Sequence, residues 1–244
     1  MLDRLPPSLT RALVPRLGFA APAPVEPIDP VERVLWAVLA VATLLIVAVV
    51  MHGDPRWVDP LVSEEGPLEW GAAIGWLLLA PLVLWSGGRG RRALALGGVS
   101  LLFAAREFDL HKFIAGNSFL KINFYRGGTV APHDKLLGAA IALAVLAAVL
   151  YGLGAGTLAF VRGRLWRTAW GRLVVLAFAM LLLSKLLDRT PAILKDEWHR
   201  PLDWTPSHLV TVHEEWLECF VPLCLAAAAS LRRGRFREAA VRTD

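Results

Sequence analysis

The chain has 244 residues, 56% of them hydrophobic, and a mean hydropathy of +0.51, which excludes an ordinary soluble domain. A net charge of +5 and a pI near 9.7 raise nucleic acid as a partner, but the basic residues are grouped as a membrane groups them, so no nucleic acid is expected. Two cysteines, five apart at Cys219 and Cys224, exclude a disulfide framework.

Residues 1–30 hold seven prolines and few large apolar side chains after Phe19, and read as a flexible cytoplasmic leader. Six apolar stretches follow, at 34–52, 67–87, 93–111, 136–161, 170–188 and 207–231. The predicted fold is all-α: a polytopic membrane helix bundle of about six spans over residues 31–231, with a basic tail at 232–244. No small-residue cleavage site follows the first stretch, which reads as a retained span.

Pro67 suits the first turn of the second span, close to Glu69 and Trp70. The third span has only thirteen uncharged residues, Ala93 to Ala105, about 20 Å of helix against a hydrocarbon core of roughly 30 Å. Residues Arg106 to Lys112 are therefore expected to continue at membrane depth, with Glu107 beside His111 and Arg106 paired with Asp109.

The longest connection, 113–134, alternates at Lys121–Arg126 before Gly127-Gly128, which suggests a short hairpin or an interfacial flap carrying Arg126. The fourth span is featureless. The fifth has twelve uncharged residues, Leu173 to Ser184, and then Ser184, Lys185 and Asp188 on one face. Residues 189–206 read as a loop anchored by Trp198 and Trp204.

The sixth span combines thirteen uncharged residues, Cys219 to Leu231, with a polar first half. On a helix, His208, Thr211, Glu215 and Glu218 fall within an arc of roughly 80°, flanked by Glu214. An acidic residue at the centre of a span costs roughly 2.5–3.5 kcal/mol on insertion scales, so this stripe must face other helices or trapped water.

Sixteen of the 26 Lys and Arg lie in the N-terminal segment, alternate loops and the C-terminus, which predicts both termini in the cytoplasm. All six histidines and fifteen of the 21 carboxylates then fall outside. The sidedness follows from Lys and Arg alone, so this asymmetry of His and acid is independent of it. The asymmetry suggests an outward-facing bowl between the second, third, fifth and sixth spans, lined by Glu69, Glu107, His111, Asp188, His208, Glu215 and Glu218.

The run E-x-G-x-x-E-W at Glu64–Trp70, with R-E-F-D-x-H-K at Arg106–Lys112, resembles that of uncharacterised bacterial polytopic inner-membrane proteins. The resemblance implies a multi-pass protein of the bacterial inner membrane and carries no activity with it.

Such a lining suits a metal-assisted enzyme acting on a lipid or lipid-linked substrate. Under that expectation Glu69, Glu107, His111, His208 and Glu215 are the metal ligands, for zinc, manganese or iron. Glu107, Glu215, Glu218 and Asp188 supply acid–base chemistry, Arg126 and Lys185 contact a substrate anion, and membrane lipid is the partner. The alternatives are a proton- or cation-coupled transporter or its subunit, and an accessory protein whose polar network only holds helices together.

Overall fold

The computed structural model describes residues 23–61, 63, 66–87, 90–112, 118–126 and 130–241. The described residues are all-helical, with no strand. Six long helices fall on the six apolar stretches: α1 (Pro30–His52), α2 (Pro67–Gly87), α3 (Arg91–Glu107), α4 (Pro132–Arg162), α5 (Ala169–Asp196) and α6 (Trp204–Val241). Four of them are long and apolar enough to cross a membrane: Pro30–His52, Pro67–Ser86, Pro132–Arg162 and Ala169–Asp196. The 17 residues of α3 rise only about 25 Å. In α6 the uncharged run is closed off by Glu218 on one side and Arg232 on the other.

Helix α6 is the axle of the bundle. It packs against α5, α2 and α1, while α2 packs on α3 and α3 on α4. The main core lies where these helices meet, around Trp76, Leu79, Leu173, Ala177, Phe220 and Cys224, with Leu35 and Leu39 of α1 against it. Trp76 and Phe103 stack at 4.5 Å and bind α2 to α3. The outer faces of α1 and α4 are almost wholly apolar and exposed, including Leu44, Leu45, Leu143 and Leu150, as lipid-facing helices are.

Helices α2 and α6 cross at a Gly71-x-x-x-Gly75 step. A Cβ on Gly71 would sit 2.9 Å from Cys219 Sγ, and one on Gly75 would sit 2.7 Å from Cγ of Pro222. Only glycine lets these backbones approach so closely.

Three local expectations are corrected. Helix α3 ends at Glu107 and does not run on to His111, because the chain turns through Phe108 and a left-handed Asp109 (φ 53°) into a short 3-10 turn, Leu110–Lys112. Residues Ile122–Arg126 form a helical turn and not a hairpin strand; Phe119, Phe124 and Val130 cluster with Ala142 of α4, which holds it on that helix. Helix α5 continues through Pro191 to Asp196, well into the stretch read as a loop.

The stretch read as a flexible leader is fixed where it is described. Ala23 N–H donates to the Gly163 carbonyl and Glu26 N–H to the Arg167 carbonyl, both at 3.0 Å. Glu26 accepts from Ala169 N–H (2.7 Å), and Arg172 uses all its donors at once. Its guanidinium bonds both Glu32 oxygens (2.8 and 2.7 Å) and the carbonyls of Glu26, Arg167 and Pro27. The basic tail likewise continues α6 as helix to Val241.

Candidate functional site: a charged cluster between four helices

The polar ends of α2, α3, α5 and α6 come together on the side of the bundle away from the chain's arginine-rich turns. Helix α6 contributes the buried Glu218 and the half-buried Glu214 and Glu215 from one face, while another face supplies the buried Val212 and Phe220, because the helix is packed by its neighbours on several sides. The Glu218 side chain is only 8% exposed. Its Oε1 is ion-paired with Lys185 of α5 and accepts from the Ser184 hydroxyl (3.1 Å), which also faces the Leu181 carbonyl at 2.9 Å. Lys185 reaches Glu214 as well, at 3.8 Å. The acid of this pair is buried and held by the lysine and the serine hydroxyl together; the lysine, 37% exposed, keeps one side open.

Pro222 has no N–H, so the Glu218 backbone carbonyl, one turn earlier, loses its helical donor. The same residue thus presents a carboxylate paired with Lys185 and a helical carbonyl without its i+4 donor at one level of α6.

Helix α3 ends in the cluster. Glu107 is 9% exposed and pairs with Arg106 at 3.5 Å. Arg106 was expected to pair with Asp109; the turn after Glu107 instead hands Asp109 to Lys112, at 2.6 Å. Trp70 and Phe108 meet edge-to-face at 5.5 Å and set the end of α3 beside the start of α2, where Glu69 lies.

The charges act on one another across helices. Glu107 lies within the fields of Arg106, Glu218, Lys185 and Glu69. Glu214 lies within those of Asp188, Lys185, Glu218 and Arg106. Glu215 differs: the charges that act on it most strongly are those of Glu218, Glu214, Glu69 and Glu107, all carboxylates. Among the described residues it makes no hydrogen bond or ion pair. Like charges so placed call for a counter-charge, a proton or a bound cation.

Of the residues named from sequence, Glu69, Glu107, Lys185, Glu215 and Glu218 are brought together here, with Asp188 at the rim and 3.8 Å from Arg189. His208 is engaged elsewhere. Its ring stacks on Trp204 (4.2 Å), Nδ1 donates to the Trp204 carbonyl (2.8 Å) and Nε2 faces Asp59 (3.2 Å). Arg126 is exposed at the end of the turn packed on α4, and no ion pair joins it to the cluster among the described residues. His111 lies in the 3-10 turn after α3; its side chain is outside the described residues.

Among the described residues no three His, Cys, Asp or Glu side chains stand as ligands of one metal ion. The ammonium of Lys185 occupies the space between Glu214 and Glu218. Sequence reasoning offered Lys185 as a counter-charge for Glu218 but not its reach to Glu214, and assigned Arg106 to the wrong acid. Lys185, the first charged residue after the twelve uncharged residues Leu173–Ser184, was the available signal for a counter-charge to these acids. Comparison with known protein families, with curated proteins and with solved structures finds no match to this chain.

Proposed function

We propose that this is a multi-pass protein of the bacterial inner membrane, with six spans and both termini in the cytoplasm, that takes up protons or cations in the cluster between α2, α3, α5 and α6. In this reading it is a proton- or cation-coupled transporter or a subunit of one. The positive-inside distribution of arginine supports the sidedness, and the likeness of its E-x-G-x-x-E-W and R-E-F-D-x-H-K runs to bacterial inner-membrane proteins supports the location. The short α3 is accommodated by its packing between α2 and α4, and the charges of α6 face α5 and α2.

The observation that carries the proposal is Glu215, a part-buried carboxylate on which the strongest acting charges are all carboxylates and which makes no ion pair among the described residues. Four glutamates of α3 and α6 (Glu107, Glu214, Glu215, Glu218) meet two basic groups, Arg106 and Lys185. Such a site is completed by an exchangeable positive charge. Lys185 favours this over the metal-assisted enzyme, because a tethered ammonium already sits between two of the carboxylates. A lipid-directed enzyme also loses Arg126 as an anion contact near the cluster.

The test is proton release from purified protein on addition of sodium or potassium, followed by ion-driven proton flux in proteoliposomes. Wild type is expected to show both, and Glu215→Gln and Glu218→Gln to fold yet lose them. Absence of both signals in wild type, or their persistence in both variants, overturns the proposal. Tight stoichiometric zinc, manganese or iron in the purified protein would put the metal-assisted enzyme first.

A further inference from the structure

The opposite end of the bundle has the reverse charge problem. Its described acids near the start of α1 are already engaged: Asp29 caps Val31 N–H (2.8 Å), Glu26 accepts from Ala169 N–H, and Glu32 is held by Arg172. Five further arginines gather there. Arg33 follows Glu32, Arg91 opens α3, Arg162 closes α4, and Arg164 and Arg167 lie in the turn into α5. Among the described residues none of these five side chains makes an ion pair, and all but Arg167 are exposed.

Two further arginines, on α6, mark the level of this collar. Arg233 lies over the Trp85 ring at 3.3 Å and donates to the Trp85 carbonyl (2.7 Å); Arg232 lies 5.6 Å from the Trp170 ring. Tryptophans with flat cationic partners sit at the headgroup layer of a bilayer. Immediately above Arg162 the face of α4 is bare hydrocarbon: Leu150, Leu153, Leu158 and Val161 are each about half exposed. Bare guanidinium groups therefore stand at the foot of an apolar helix face. That is the two-part chemistry of a phospholipid, a phosphate with acyl chains attached.

We infer that the collar of Arg33, Arg91, Arg162, Arg164 and Arg167 is a binding surface for anionic phospholipid headgroups, with the acyl chains lying along α4. The arginines are held for this by the clamp of Arg172, which fixes the start of α1 against the turn that carries Arg164 and Arg167. The surface is separate from the acidic cluster, at the other end of the same helices.

Native mass spectrometry of the full chain in detergent tests this, with phosphatidylglycerol, phosphatidylcholine or inorganic phosphate added. Wild type retains phosphatidylglycerol over phosphatidylcholine, and rising salt reduces the retention. The triple variant R162Q/R164Q/R167Q weakens it by about fivefold per arginine, on the order of a hundredfold in all. Lys195→Gln with Arg200→Gln, at the opposite end, leaves it unchanged. Equal retention of the two lipids, salt-independent retention, displacement by equimolar inorganic phosphate, or equal loss in the opposite-end control each overturns the inference. Where the triple variant does not fold, Arg91→Gln and Arg162→Gln alone each give the fivefold loss, and no loss in either overturns it.

Discussion

Lys185 of α5 and Glu218 of α6 form an ion pair whose acid is almost fully buried while its base stays partly open to the outside of the bundle. The asymmetry decides what each mutation does. Glu218 depends on the lysine as its ion-pair partner, whereas the lysine can find water.

Lys185→Met strands Glu218 and Glu214 without their ammonium. The expected cost is roughly 1–3 kcal/mol, less than for a fully buried pair because the lysine is 37% exposed. Adding Glu218→Gln to Lys185→Met should restore more than half of the loss, since the neutral amide needs no counter-ion and still accepts from Ser184. Thermal unfolding in detergent reads both. A double variant no more stable than Lys185→Met alone would show that the pair is not what holds Glu218.

Gly71→Ala should cost about 1–3 kcal/mol, because the new methyl meets Cys219 Sγ at 2.9 Å. In a Cys219→Ala background the sulfur is gone and the same substitution should cost less than half as much. Denaturation of the four proteins gives the coupling directly. Strict additivity would mean that α2 and α6 do not touch at this step.

Arg172→Met removes five hydrogen bonds and leaves Glu32, 4% exposed, as a buried charge without its partner. The loss expected is about 3–5 kcal/mol. Amide exchange across residues 23–29 should quicken, because the carbonyls of Glu26 and Pro27 lose the donor that pins the segment. Unchanged exchange there would place the clamp outside the stability of that segment.

For the topology, single cysteines at Glu197 and Arg164, in a chain lacking Cys219 and Cys224, sit in exposed positions on opposite ends of α5. An impermeant thiol reagent applied to intact cells should label the first and spare the second. The reverse pattern would turn the acidic cluster to the cytoplasm and the arginine collar outward.

The helices were legible because their cause is local. An uncharged run bounded by Pro67 or by Arg162 fixes its own limits, and the six long helices lie where the apolar runs lie. The direction of the acidic stripe on α6 was legible for the same reason, since a three-and-four spacing needs only the helix to hold. What failed depended on turns or on partners distant in sequence. Nothing in R-E-F-D-L-H-K announces that Asp109 will take a left-handed φ and redirect the chain, so His111 was carried onto a helix that had ended. The partnership of Arg172 with Glu32 spans 140 residues; its only trace was a charged residue in the first turn of each of two spans. The Gly71–Gly75 spacing was a readable sign of close helix approach, although it does not name the partner helix.

Helix α6 follows the other five in the chain and yet touches α1, α2 and α5. During synthesis, therefore, the four helices long and apolar enough to cross a membrane are made before the element that their inner faces are shaped to meet. Until it arrives, Lys185 lacks both glutamates and the glycine step of α2 faces nothing. Packing of the bundle must wait for α6, and a chain stopped before Trp204 would leave Lys185 and the glycine seam of α2 uncovered.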